Sequence, residues 1–282
     1  MNTERISVVI PAHNEEAVIA RTLDTLLREA APGEFRVIVV CNGCSDRTAQ
    51  IVRARFPGAE VLELDQASKT AAINAGIHAA GAGPILLLDA DIELDAGSAR
   101  ALAAALRGPD IEAAIGHMRV DLHGAGWMVR AFYRVWLQHP YLRNGKFAAA
   151  IALSPAGLAR IGALPKVTAD DTYLRRMIPR ERVAVVDRVQ FLVRAPRTVR
   201  ALVRVRSRSY RGTRQLAQHT PARSHTGSAE ARGLVRRLCL SPSLWLCAPV
   251  YLAVTLAARV LSHRDPGTRW ERDHTTRTPL TQ

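Results

Sequence analysis

Lysine is nearly missing from this sequence. Of its 39 basic residues only Lys69, Lys146 and Lys166 are lysine, and the rest are arginine. Cysteine is scarce too. Cys41, Cys44, Cys239 and Cys247 do not form the regular pattern of a disulfide framework. Cys41-x-x-Cys44 has the spacing of half a zinc site or a redox pair. The other two are spaced differently in an apolar run, so the reading gives none of them a metal or redox role. Aromatic residues make up 5% of the chain. Only Tyr173, Phe191 and Tyr210 fall between Tyr173 and Arg211, which argues against a stacking platform for RNA bases. A leader is also not apparent: Glu4 and Arg5 precede a strand pattern directly. The expectation is a chain that folds from its N-terminus in the cytoplasm. No internal repeat is seen.

What is present is arginine, unevenly placed. The formal net charge is +14. The acids lie mainly before Asp187, while arginine crowds Arg175 to Arg237. Such asymmetry points to nucleic acid, anionic lipid or a phosphorylated substrate, and arginine's fork suits phosphate oxygens. A length of 282 residues fits one large or two small domains at roughly 150 residues each.

The chain is organised around Ile85-Leu86-Leu87-Leu88-Asp89-Ala90-Asp91. Four aliphatic residues in a row read as a strand buried on both faces. Charge cannot enter that core, so the strand ends at Asp89. In open α/β sheets the ligand crevice lies at the carboxyl ends of the strands. A D-x-D there offers hard oxygens to Mg²⁺ or Mn²⁺. The competing reading is a helix start, with the two acids capping Leu94 onward.

Strand and helix patterns alternate before this stretch. Ile6–Ile10 is a first strand stopped by Pro11. Asn14 caps a helix with Glu15 and Glu16 in its first turn. Val37–Val40 is a second strand, Asn42-Gly43 a turn, and Ser45-Asp46 a helix start. Val61–Leu64 is a third strand and Lys69–Ala80 an Ala-rich helix. The alternation predicts βαβ units and a parallel sheet. Further on, helices are expected at Ser98–Leu106, Trp127–Leu137, Ser154–Ile161 and Asp170–Met177. Ile111–Leu122 reads as one or two strands, Val183–Val186 as a strand and Phe191–Val193 as another. Leu238–Ala258 carries no charge over about 20 residues, the length that spans a bilayer. Pro242 and Pro249 weaken a span, so an interfacial helix pair or a packed helix fits as well. Pro266–Gln282 is polar and reads as a frayed tail.

Three polar motifs follow three strands: Pro11-Ala12-His13-Asn14-Glu15, Asn42-Gly43-Cys44-Ser45-Asp46 and Asp89-Ala90-Asp91. Each alone could be a cap or turn. Together with three further elements they resemble family 2 glycosyltransferases of the GT-A fold. The first is similar to that family's P-x-(Tyr/His)-N-E and the second to its D-(D/N)-G-S-x-D. Asp65–Gly76 is similar to its G-K-x-x-A-x-N-x-G, although Gln66–Ser68 replace the glycine-containing turn. Asp170-Asp171-Thr172-Tyr173-Leu174 is similar to E-D-x-x-L, and Arg208–Gly212 to R-x-x-R-G. The likeness runs from Ile6 to about Gly212.

The resemblance implies a GT-A fold: a Rossmann-like, mostly parallel sheet flanked by helices, here with a C-terminal apolar helical tail. It implies that residues 1–115 form the nucleotide-sugar half and 116–215 the acceptor half. Residues 216–265 are then an apolar, basic segment for membrane or packing contact, and 266–282 a polar tail. Pro11, His13 and Glu15 would border the nucleobase, and Asp46 would support that loop. Asn42 stands where relatives often carry a base-binding Asp, which leaves the choice of base open. Lys69 would face base or phosphate, Asp89 the ribose, and Asp91 with Asp89 a Mn²⁺ or Mg²⁺ ion. Arg208 and Arg211 would grip the diphosphate. His219, or alternatively His225, would complete the metal site. Asp171, with Asp170 beside it, would be the catalytic base.

The implied reaction is an inverting transfer of sugar from a nucleotide diphosphate sugar to a hydroxyl acceptor, which could be lipid-linked. The expected setting is cell-surface glycan or glycolipid synthesis at the inner face of the cell membrane. A homodimer is compatible and a nucleic-acid partner is not expected. Two rivals remain at this point. A nucleotidyltransferase also uses a strand-end D-x-D, but needs a Gly-rich basic loop where this chain has His13-Asn14-Glu15. An Arg-rich RNA- or lipid-surface-binding protein would not need Asp89 and Asp91.

Overall fold

The structure is a computed structural model in which residues 5–143, 145–219 and 226–264 are described. The chain begins β1 (Ile6–Ala12), α1 (Ile19–Leu27), β2 (Phe35–Asn42), α2 (Thr48–Arg55), β3 (Glu60–Leu64), α3 (Lys69–Ala80), β4 (Ile85–Leu88) and α4 (Ala96–Ala105). It continues with β5 (Ala113–Asp121), α5 (Trp127–Trp136), α6 (Pro140–Arg143), β6 (Ala150–Leu153), α7 (Pro155–Ile161), α8 (Asp170–Met177) and β7 (Val183–Arg194). Three long helices close it: α9 (Val199–His219), α10 (Thr226–Leu240) and α11 (Ala248–Arg264).

Seven strands form one sheet in the order β3-β2-β1-β4-β6-β5-β7. β3, β2, β1 and β4 run parallel to one another, whereas β6 runs antiparallel to both β4 and β5. All four residues of β4 are buried, as their aliphatic run requires. β4 pairs with β1 only along Ser7–Val9. Pro11 therefore falls past that pairing, at the strand end, where a missing N–H does not interrupt the ladder. On α1, Ile19, Thr22, Leu23 and Leu26 are buried. Their spacing puts them on one helical face, which joins Val8, Ile10, Val39, Leu86 and Leu88 in the core. Fully burying one such aliphatic side chain contributes about 1.5–3 kcal/mol.

The chain separates into two compact units. The first comprises residues 1–119 and 147–193, the second 120–146 and 194–282. The second has its own small core of Ala131, Val135, Leu234 and Cys247. Phe132 stacks on Tyr251 there at 5.3 Å between ring centres. The Arg206 guanidinium lies 5.4 Å from the Trp136 ring and 5.2 Å from that of Tyr210.

Several boundaries differ from the sequence reading. Asn14 does not cap α1, which starts at Ile19. Asn14 has a positive φ of 52°, a left-handed backbone that a right-handed helix cannot continue. α2 starts at Thr48 rather than Ser45. α4 starts two residues early, at Ala96, because Asp95 caps it, accepting from Ser98 N at 2.7 Å. The two late strand patterns are one continuous β7. The uncharged run at 238–258 is not one helix: α10 ends at Leu240, a 3₁₀ turn covers Pro242–Leu244, and α11 begins at Ala248. Among the described residues no helix is long and apolar enough to cross a membrane.

Candidate active site

The ends of β1 and β2 and the start of α3 are joined by one amide. Asn42 is completely buried. Its Nδ2 donates to Ala12 O at 2.7 Å, and its Oδ1 accepts from Ser68 N at 3.0 Å. A buried amide with both ends used is a framework element. Asn42 thus fixes two strand ends against the helix that carries Lys69, and presents no amide edge to solvent. His13 Nδ1 lies 2.6 Å from Asn42 O, which orients the imidazole at the same place.

The two loops beyond β1 and β2 are laced together. Asn14 Oδ1 accepts from Ser45 N at 2.6 Å and Asp46 N at 3.3 Å. Asn14 N donates to Cys44 Sγ at 3.3 Å. Asp46 accepts from Glu16 N at 3.1 Å and from Thr48 N at 3.0 Å, so it ties the first residue of α2 to the other loop. Glu15 is buried, and its N–H donates to Thr48 Oγ1 at 2.7 Å. Gly43 has φ +58°, and a Cβ there would stand 2.7 Å from Ala67 N. The turn therefore requires glycine both for its backbone and for this close approach.

Asp89 and Asp91 follow β4. Lys69, at the start of α3, reaches Asp89 Oδ1 at 2.7 Å and Asp170 Oδ2 at 2.9 Å. One ammonium thereby ties the D-x-D to the first residue of α8. Burial alone would push the Lys69 ammonium down, but the charges of Asp170 and Asp89 push it up well above the usual lysine range. Burial raises the Asp89 carboxyl. Lys69 opposes that, and the charges of Asp170 and Asp91 add to it. The neighbouring Asp171 is turned into its own helix: its Oδ1 accepts from Thr172 N at 2.7 Å.

Asp170 is brought to Lys69 by a residue with no assigned role in the sequence reading. Asn74, on α3, donates through Nδ2 to Leu164 O and accepts through Oδ1 from Leu164 N, both at 2.9 Å. This paired clamp fixes the loop leading to α8. Tyr173 O–H donates to Ile161 O at 2.9 Å and secures the same segment from the other side. The signal was present as the N-x-G of Asn74-Ala75-Gly76, but its target, a backbone in a distant loop, has no sequence mark. Buried Glu112 was likewise not singled out. It pairs with Arg160 and, at 2.7 Å, with Arg182, and its carboxyl is held below the usual range chiefly by Arg160.

Asp89 and Asp91 are hard oxygen donors at the mouth of a strand, and negative charge is in excess around Asp89. That donor chemistry suits a divalent ion. Among the described residues no three His, Cys, Asp or Glu side chains cluster closely enough to cage an ion unaided. Oxygens of a bound diphosphate and water would have to complete the shell, as they commonly do for Mg²⁺. Arg208 and Arg211 lie on α9 in the second unit, Arg211 buried and Arg208 half-buried. His219 is the last residue of α9. Its side chain, like the whole of His225, lies outside the described residues.

The profile of "Glycosyl transferase family 2" matches residues 7–154. Validoxylamine A glucosyltransferase of Streptomyces hygroscopicus subsp. limoneus is 35% identical over 109 residues. That stretch covers 37% of this chain and 24% of that protein. An uncharacterized glycosyltransferase of Mycobacterium tuberculosis is 33% identical over 112 residues, covering 39% of this chain and 48% of its own length. The chain thus spans less than half of these relatives. Among solved structures, a mannosyltransferase from Pyrobaculum calidifontis, in complex with GDP-Man and Mn²⁺, superposes with a TM-score of 0.66 at 19% identity. That superposition covers 92% of this chain and 87% of the other. Glucosyl-3-phosphoglycerate synthase from M. tuberculosis, with Mn²⁺, UDP and glucosyl-3-phosphoglycerate, gives 0.54 at 20% identity, covering 79% and 82%. At these identities the likeness shows the fold, which is that of GT-A glycosyltransferases.

Proposed function

Since the chain belongs to glycosyl transferase family 2, we propose that it transfers a sugar from a nucleotide diphosphate sugar to a hydroxyl acceptor, with inversion at the anomeric carbon. The observation that carries this reading is the Lys69 bridge between Asp89 and Asp170. It gathers the strand-end acids and the start of α8 at one point, as a displacement reaction needs. Both solved relatives above were captured with Mn²⁺ and a nucleotide, which supports the same donor class here.

In this reading Pro11, His13 and Glu15 border the base, while Asn42 and Asp46 hold their loops in place. Asp89 reaches the ribose, with Lys69 fixing its carboxylate. Asp91, with Asp89 beside it, would hold Mn²⁺ or Mg²⁺. Such an ion offsets the charge that develops on the departing diphosphate. Asp171 takes the proton of the acceptor hydroxyl. The acceptor oxygen bonds to the anomeric carbon as the bond from that carbon to the diphosphate oxygen breaks, and nucleoside diphosphate leaves. Asp170 is the poorer base of the two, because its carboxylate is already engaged by the Lys69 ammonium at 2.9 Å. Its role is to position α8.

The test is nucleotide release from UDP-, GDP- and dTDP-sugars, with and without Mn²⁺. One donor class should be turned over in a metal-dependent manner, and Asp91→Ala should abolish that turnover. Failure of all donors to bind, or full activity in Asp91→Ala, would overturn the proposal.

A further inference from the structure

The geometry of α11 points to a docking surface for an anionic lipid bilayer, and we propose that α10, the following 3₁₀ turn and α11 lie flat on such a bilayer. This inference does not depend on the transfer reaction. It starts from a helix that leaves a row of large aliphatic side chains on its outer side. Val254, Ala258 and Ser262 are its buried residues. They recur every fourth residue and form the inner stripe. Leu252, Leu256 and Val260 recur at the same interval on the outer side, and each is more than half exposed. A helix packed only for a soluble domain puts its large aliphatics inside. Here Val254, Ala258 and Ser262 take the inside with half-buried Tyr251 and Leu261, Ser262 O accepts from Arg214 of α9, and a second row of aliphatics is left out.

The joint before α11 repeats the pattern. Leu240 is 72% exposed, Trp245 59% and Leu246 89%. The Trp245 indole N–H donates to Leu238 O at 2.8 Å, so the ring is held in its outward position rather than swinging freely. Beside it, Arg134, Gln138 and Ser243 line a shallow groove with Leu137 and Leu244. Apolar exposure on this scale marks a contact surface.

Charge decides the occupant. From Thr226 to Arg264 the sequence holds Arg232, Arg236, Arg237, Arg259 and Arg264 against a single acid, Glu230. A second copy would bring like charge against like charge. An anionic bilayer receives both chemistries, the aliphatics at the acyl boundary and the guanidiniums at the phosphates. Tryptophan is favoured at that depth. α11 is 17 residues long and no described helix is suited to span, so the contact is in the plane of the interface.

Flotation of the full chain with vesicles of phosphatidylcholine alone, or mixed with phosphatidylglycerol, tests this. Binding should be about tenfold or more stronger to the mixed vesicles and should weaken as salt rises. The double variant L252E/L256E should lose it. Bromine-labelled acyl chains should quench the fluorescence of the wild type, and W245F should lose most of that quenching while still binding. Three results would overturn the proposal: no binding of wild type to mixed vesicles, binding unchanged in L252E/L256E, or a solution dimer that L252E/L256E dissociates with no vesicle binding. If the double variant does not fold, wild type unquenched by brominated lipid overturns it equally.

Discussion

Lys69 is held by two carboxylates from distant parts of the sequence, so replacing it tests an arrangement rather than a single contact. Lys69→Met leaves Asp89 and Asp170 facing each other without a cation. Breaking a fully buried pair costs about 3–5 kcal/mol. Because Lys69 is a quarter exposed, solvent screening reduces the expectation to about 1–3 kcal/mol, readable by denaturant unfolding. The adjacent acids should separate by kinetics. Asp171→Asn should lower kcat by about 100-fold or more, as loss of a general base does. Asp170→Asn should act mainly on KM and on stability. Equal loss of kcat in both would refute the division of roles. Cys44 offers a third readout. The Cys41 thiol donates to it and brings it down to about 7, while the same contact and burial push Cys41 up. Thiolate is the reactive form, so Cys44 should be alkylated by iodoacetamide in a step that rises around neutral pH. Cys41→Ala should slow that reaction about tenfold at neutral pH, as followed by mass spectrometry.

Elements are set against each other at glycines that admit no side chain. A Cβ on Gly76 of α3 would stand 2.3 Å from Val9 Cγ1 of β1. Gly76→Ala should therefore destabilise the protein by about 1–3 kcal/mol, the usual range for overpacking. A Cβ on Gly157 of α7 would stand 2.2 Å from the Glu112 carbonyl oxygen. Backbone yields less readily than a side chain, so Gly157→Ala should have the larger effect in a thermal melt. At this scale the sequence was informative where a pattern is local. α3 and α8 begin and end where the apolar period and their flanking residues place them. It failed at Asn14 and at Ser45, whose polar side chains look like helix caps. In the structure they bond each other across the loops, a use that no local pattern encodes.

For the whole molecule, pH sensitivity should arise in the second unit. His139 is pushed down to about 4 by burial and by the Arg206 charge, and its Nε2 lies 2.8 Å from the Tyr251 hydroxyl. The unfolded chain, with a histidine near 6.5, binds the extra proton first as pH falls. Stability should be full above about 6.5, decline between there and about 4, and level off below. The loss should be about 2 kcal/mol after allowance for partial exposure. His139→Gln should flatten that decline in a series of melts. An unchanged profile would place the sensitivity elsewhere.

The sequence alone determined the βαβ alternation, the buried fourth strand and the charge break that ends it. Each follows from what a residue tolerates next to its immediate neighbours: aliphatic runs must be covered, and carboxylates must leave the core. It also carried the motif order by which the family was legible. Tertiary structure decided what those motifs touch. It turned Asn42 inward as a clamp, set Asp170 rather than Asp171 on Lys69, and used Asn74 to hold a loop about 90 residues away. It also broke the uncharged C-terminal run into two helices and a turn. Those outcomes depend on hydrogen bonds and packing between segments far apart in the chain, where spacing along the sequence has no bearing on distance in space.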